Sequence, residues 1–178
     1  NLELGALTAT DNQLTCIQVS SYLLFWMNWV GGPAAPWFAI DEGVELSVDC
    51  SVSNTQRTYV PDDGLEQALI DLGIDQVLDD YVSTIEILNL LFLDISRRNI
   101  SDLTGLEDFK GLHILNASNN DLTDVDISEW GTLMQIDLRS NPLSCIQMNE
   151  EQIMTYEGLG IPEILADNRV MISLDCGF

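Results

Sequence analysis

Four cysteines, one histidine and a surplus of carboxylates are the residues of this chain whose chemistry could go beyond packing. Cys16, Cys50, Cys145 and Cys176 could form disulfides, ligate zinc or act as nucleophiles. Zinc sites built on cysteine use closely spaced ligands, and no C-x-x-C is present. His113 is the sole histidine, so a Ser/His/Asp or Cys/His site would have to centre on it. It lies between Leu112 and Leu115, where a spacer position in a strand is expected. There is no glycine-rich phosphate loop and no H-E-x-x-H. Carboxylate pairs are plentiful because the chain is acidic, so they single out no acid–base site. The expectation is a protein that is not an enzyme, with no catalytic residues and no resident metal. Asp71, Asp75, Asp79 and Asp80 invite a calcium reading, since calcium takes oxygen ligands. They lack the D-x-[DN]-x-[DN]-G order, so solvated helix faces are the expected role, and calcium is the one cofactor left open.

The 178 residues carry 6 Lys and Arg against 29 Asp and Glu, a net charge of −23. Nucleic acid and anionic membranes attract basic surfaces, so neither is an expected partner. A solvated acidic coat is the plain reading of such a charge. The most apolar run, Tyr22 to Val30, is about half a bilayer span, so no membrane insertion is expected. The chain opens without a signal-peptide pattern and drops directly into a repeat-like motif, as a piece of a larger chain would.

That motif recurs. Residues 112–122 read L-x-x-L-x-A-x-x-N-x-L, and the units at Leu90 and Leu133 follow the same order, with starts 22 and then 21 residues apart. In the first unit Arg98 stands where Asn is expected. This is the strand-and-turn signature of a leucine-rich repeat, in which the strand residues point inward and the Asn bonds backbone groups left unpaired by the turn. One unit cannot bury its own apolar face, so stacking is required. The fold class predicted is α/β: a leucine-rich-repeat solenoid with short parallel strands, Leu103, Leu106, Phe109, Val125, Ile127 and Trp130 lining the convex side of the core. Asn12, Asn120 and Asn141 take the structural Asn position.

Residues 4–19 match 133–148 at a constant offset, including the L-[ST]-C-I-Q string. The match resumes between Leu46-Ser47-Val48-Asp49-Cys50 and Ile172-Ser173-Leu174-Asp175-Cys176, with the offset reduced by three. Two ordered blocks with matching cysteines indicate an internal duplication. Four cysteines allow three connectivities; one pair per copy, Cys16 with Cys50 and Cys145 with Cys176, is the natural one. Each bridge would close a loop of just over thirty residues, worth roughly 3–4 kcal/mol on the loop-entropy model. Disulfides imply an oxidising, extracytoplasmic compartment, against the alternative of four reduced core thiols. The expected organisation is a terminal repeat and cap of a preceding module over 1–51, a junction over 52–58, and a repeat module over 59–178. Within that module, cap helices are expected at 61–82, repeats at about 90–143 and a C-terminal cap at 144–178. Asp62 or Asp63 suits the N-cap of the first helix and Gly73 its stop. A second short helix is expected at about 75–81. Residues 150–156 look helical, with Gly158 and Gly160 stopping the helix.

The stretch Tyr59-Val60-Pro61-Asp62-Asp63-Gly64-Leu65-Glu66-Gln67-Ala68-Leu69-Ile70-Asp71-Leu72-Gly73 and the two L-[ST]-C-I-Q endings followed by Asp-Cys resemble the leucine-rich-repeat modules of secreted or surface proteins of flavobacteria-type bacteria. The resemblance covers nearly all of 59–178 and part of 1–51; Arg98 and the aromatic insertion at 20–38 depart from it. It implies an extracellular protein-interaction or adhesion module, secreted or at the cell surface. Alternation of strand side chains leaves outward columns on the concave face. The candidate binding residues there are Phe92, Ile114 and Gln135; Asp94, Asn116 and Asp137; Ser96, Ser118 and Arg139; and Arg97 with Asn119. A protein partner is expected. Two other readings use other parts of the chain. The aromatic segment 20–38, with Trp26, Trp29 and Trp37, could bind a surface polysaccharide, or it could cover the end of the repeat stack. The whole chain could also serve as a spacer in a larger adhesin.

Overall fold

The computed structural model describes residues 56–167 and 170–177, together with the backbone of four strands ahead of them. Those four are β1 (Leu7–Ala9), β2 (Cys16–Gln18), β3 (Phe38–Ile40) and β4 (Glu45–Ser47). The aromatic segment, Cys50 and the side chain of Cys16 lie outside the described residues.

The continuous part opens with a hairpin. Strand β5 (Arg57–Tyr59) pairs antiparallel with β6 (Tyr81–Ser83), and helix α1 (Asp63–Asp71) is held between them. Leu65, Ala68 and Leu69 on one face of α1 are fully buried. Asp62 caps the helix by accepting the Leu65 amide at 3.0 Å. Gly73, at φ +76°, ends it: the amides of Gly73 and Ile74 return to the carbonyls of Ile70 and Leu69, a Schellman turn.

The second cap helix expected at 75–81 is not there. Residues 74–80 are irregular, β6 begins at Tyr81, and the next helix, α2, spans Thr84–Leu88. The reason is a buried carboxylate. Glu66 is fully enclosed, and its Oε1 accepts the amides of Asp79 (2.7 Å) and Tyr81 (3.2 Å). The Asp80 carbonyl accepts the Val60 amide. Backbone groups that a helix would have used are bound to the hairpin instead.

Downstream, each repeat unit supplies one short parallel strand: β7 (Phe92–Asp94), β8 (Ile114–Asn116) and β10 (Gln135–Asp137), joined by β12 (Glu163–Leu165). They form one four-stranded sheet in the order β12-β10-β8-β7. Register aligns Leu93, Leu115, Ile136 and Ile164 in a single row. The residues expected inward, Leu93, Ile95, Leu115, Ala117, Ile136 and Leu138, are all buried. So are Leu103, Leu106, Phe109, Val125, Ile127 and Trp130 on the return path. Gly105, at φ +101°, lies where an added Cβ would come within 2.6 Å of the Tyr59 carbonyl, so the hairpin rests directly on the backbone there.

A second parallel sheet was not expected from the periodicity. It contains β9 (Asp124–Asp126), β11 (Cys145–Gln147) and β13 (Met171–Ser173), in the order β13-β11-β9. The segment expected as a C-terminal cap therefore supplies β12 to the first sheet and both β11 and β13 to the second. Cys145 and Cys176 are bonded, with Cα atoms 6.0 Å apart, so the bridge links β11 to the stretch after β13. Helix α3 (Glu150–Leu159) starts with an Asn149–Gln152 capping box and stops at Gly160. Gly158 lies inside it rather than ending it, because Gly160 supplies the left-handed φ of +68° that the stop needs.

The earlier strands follow the same plan. β1 pairs parallel with β3, and β2 with β4. Leu7 faces Phe38 as Ile136 faces Ile164, and Cys16 faces Glu45 as Cys145 faces Met171. These are the two offsets of the sequence duplication. Among the described residues no helix is long and apolar enough to cross a membrane.

Candidate functional site: the outward face of the four-stranded sheet

Strand alternation gives the four-stranded sheet two complete outward rows. Phe92, Ile114, Gln135 and Glu163 stand side by side in the first, and Asp94, Asn116, Asp137 and Leu165 in the second. The two rows differ in what their side chains are already doing.

The second row builds the backbone. The Oδ1 atoms of Asp94, Asn116 and Asp137 accept the amides of Ser96 (3.0 Å), Ser118 (3.1 Å) and Arg139 (3.1 Å). Each is an Asx turn that leads the chain out of its strand. One residue past each turn amide, the chain passes through a left-handed residue: Arg97 at φ +62°, Asn119 at +58° and Ser140 at +59°. The amide of Ser96 holds the Asp94 carboxyl below its ordinary pKa. For Asp137 the larger cause is the Arg139 side chain, which bonds its carboxylate and lowers its pKa. Ser118 is buried, with its hydroxyl donated to Asn116 Oδ1 at 2.8 Å. Ser96 is half-buried, while Arg97, Asn119 and Arg139 are exposed.

The first row is free of such duties at one end. Phe92 is 64% exposed, and the half-buried Ile114 is its direct neighbour. Gln135 donates to the Glu163 carboxylate at 2.8 Å. The row therefore grades from an aromatic anchor to a polar, acidic end.

Below the face, two of the expected structural asparagines, Asn120 and Asn141, form a ladder, while Asn12 lies outside the described residues. Asn120 Oδ1 accepts the amides of Arg98 (2.9 Å) and Ile100 (3.1 Å), and its Nδ2 donates to the carbonyls of Ile95 and Ala117. Asn141 accepts the Leu122 amide and donates to Ala117 and Leu138. The first repeat, which has Arg98 in that slot, is served by the Asn120 of the next. Arg98 is released to pair with Asp71 at the end of α1, and that hydrogen bond is the main cause of the lowered Asp71 pKa. Asp62 makes a second tie: besides capping α1, its Oδ2 accepts the amides of Ser101 and Asp102 and the Ser101 hydroxyl. Neither tie was read from the sequence, since each joins residues tens of positions apart with no local pattern.

His113 is buried, with Nδ1 2.5 Å from the Gly111 carbonyl oxygen, and its own carbonyl receives the amides of Met134 and Gln135. It is a packing residue between strands. Of the four aspartates read for calcium, Asp71 pairs with Arg98 and Gln67, and Asp79 pairs with Arg57. Asp75 Oδ2 and Glu66 Oε2 are buried without a hydrogen-bond partner. Among the described residues, no three or more His, Cys, Asp or Glu form a group able to hold a metal ion.

No protein family and no curated protein matches the chain. Among solved structures, it is similar to one described as the CBM51-2 and INT domains of Clostridium perfringens ZmpB. That likeness has 23% identity and a TM-score of 0.45, and covers 54% of this chain and 20% of the other. A second is the functional domain of InlJ from Listeria monocytogenes, described as including a cysteine ladder. Here the identity is 22% and the TM-score 0.43, with 55% of this chain and 25% of the other covered. The chain thus spans at most a quarter of the length of these two.

Proposed function

We propose that the chain is a non-catalytic binding module of the leucine-rich-repeat solenoid type, working outside the cytoplasm and engaging a protein partner through the outward face of the four-stranded sheet. The observation that carries this reading is Phe92. An aromatic side chain left 64% exposed on a parallel sheet, with Ile114 beside it, is an apolar anchor without an internal partner. Rigid stacked strands hold it at little entropic cost on binding. The Cys145–Cys176 bridge supports an oxidising compartment. On the same reading, residues 1–51 are the end of one module and 59–178 a second, within a longer adhesion or surface protein.

The test is capture of a protein partner from surface or extracellular fractions by the intact chain and by Phe92→Asp and Ile114→Asp variants. Both substitutions leave the Asx turns and the asparagine ladder in place. Loss of the same captured protein with both variants, at unchanged melting temperature, is the expected result. Undiminished capture by both would remove the strand face from consideration.

A further inference from the structure

The other open feature lies on the three-stranded sheet, away from Phe92. The first and second repeat coils are joined where the Asp121 amide meets the Ile100 carbonyl at 2.8 Å. Beyond that bond they part and leave a groove of about 560 Å³, a size that accepts small ligands or several side chains. Leu103, Val125 and Trp130 give it an apolar lining, and Asp102, Glu107, Asp124, Asp126 and Glu129 stand around it. A smaller hollow sharing Glu107, Glu129 and Trp130 prolongs it.

Strand β9 forms one wall. It has β11 on one side and, among the described residues, no strand on the other. The Thr123 carbonyl accepts the Ser144 amide, and the Ile127 amide donates to Gln147. Odd-numbered backbone groups of this strand therefore face β11. By alternation, the amides and carbonyls of Asp124 and Asp126 face the open edge and the groove. An unpaired strand edge beside a groove is the arrangement used for adding a strand from a partner.

Charge decides what the partner carries. The ion pairs among the described residues are Arg57–Asp79, Arg98–Asp71 and Arg139–Asp137, and none involves the five carboxylates of the groove. Their hydrogen bonds come from neutral donors: Thr104 to Asp102, Gly105 to Glu107, Ser144 to Asp124, and Ser128 with Gln147 to Asp126. Lys110 spends its ammonium on the Glu107 carbonyl. The rim keeps its negative charge in a molecule that already stands at −23, and attracts cations. A bare metal ion is a poor occupant, because the carboxylates form no metal-holding group and the lining is apolar.

We propose that this groove binds an extended peptide segment with Lys or Arg at alternate positions, added as a strand to the free edge of β9. Its backbone pairs with Asp124 and Asp126. Its basic side chains lie on the face that carries the two aspartate side chains, and the apolar residues between them turn toward Leu103, Val125 and Trp130. This site is independent of the strand face around Phe92.

The test uses a capped Lys-Val-Lys-Val-Lys peptide, titrated into the full chain at low salt and followed by amide NMR and hydrogen exchange. Controls are the Glu-Val-Glu-Val-Glu peptide and a basic peptide N-methylated on its central residues. The expected result is saturable binding at least about tenfold tighter than for the acidic peptide, with slowed exchange at the Asp124 and Asp126 amides. Glu129→Lys, an exposed reversal, should weaken binding about fivefold or more, as should N-methylation. The idea is overturned by absence of saturation, by equal binding of the N-methylated peptide, or by protection appearing at β7 and not at β9. Displacement of the peptide by calcium without amide protection would mean a cation site only, and would overturn it too.

Discussion

The two ends of the repeat stack are closed by different physics. At the N-terminal end, Val60, Leu65, Ala68, Leu69 and Val82 are fully buried, and Asp62, Glu66 and Arg98 tie the hairpin and α1 to each other and to the first repeat. At the C-terminal end no residue of α3, β12 or β13 is fully enclosed, yet both sheets gain a strand and a disulfide spans 31 residues. Burial of apolar side chains, with Asp62 and Glu66 Oε1 accepting backbone amides, stabilises the first end. At the second end a covalent link restricts the unfolded chain instead. The lesson is that a stack can end either by being covered or by being bound.

The largest test of that contrast is truncation of a core side chain at each end. Leu69→Ala should cost about 2–5 kcal/mol in urea unfolding, whereas Ile164→Ala, half-exposed on β12, should cost about 1 kcal/mol. Equal losses would mean that the C-terminal end is as well covered as the other. Next, Cys145→Ser combined with Cys176→Ser should lower stability by about 2–4 kcal/mol. The loss of hydrogen-exchange protection should be confined to β12 and β13; exposure spreading to α1 would show that the ends are not separable. Third, Asp62→Ala removes a helix cap and the anchor for Ser101 and Asp102, and should cost about 2 kcal/mol. A cost of a few tenths would make the cap-to-repeat tie dispensable.

The smallest effect is with acid. The Asp71, Asp94 and Asp137 carboxyls lie below their ordinary value of 3.8. Their contributions are therefore complete above that value and are lost as pH falls through the lower folded values. A melting series from pH 7 down to 2 should turn downward only below about pH 4, and Asp137→Asn, which keeps the turn acceptor, should flatten that fall slightly. A decline beginning near pH 6 would point to groups other than these. Asp71 and Asp94 are exposed and Asp137 is half-buried beside an exposed Arg139, so the shift in melting temperature should be only a few degrees.

Much of the repeat architecture was legible because it is periodic. The L-x-x-L-x-L spacing placed Leu93, Leu115 and Ile136 in the core, and the Asn slot marked Asn120 and Asn141 as backbone ligands. The internal duplication foretold the Cys145–Cys176 bridge; its partner pair, Cys16 and Cys50, lies outside the described residues. The helix expected at 75–81 failed because Glu66, a residue that reads as a surface position, turns inward and takes the amides of Asp79 and Tyr81. The candidate face was legible as positions but not as roles. Asp94, Asn116 and Asp137 occupy the expected columns, yet their side chains are committed to the turns that follow.

What the sequence determined by itself is local and repetitive: which residues of each short strand point inward and where the turns fall. Each follows from a spacing that recurs every 21 or 22 residues. Only the tertiary structure decided which outward side chains remain available and that a second sheet exists. It also decided that β9 ends with an unpaired edge beside an acidic groove. Those outcomes depend on which coil lies next to which, and on long-range partners such as Arg98 with Asp71 and Asp62 with Ser101. No periodicity encodes such contacts, because each is made once.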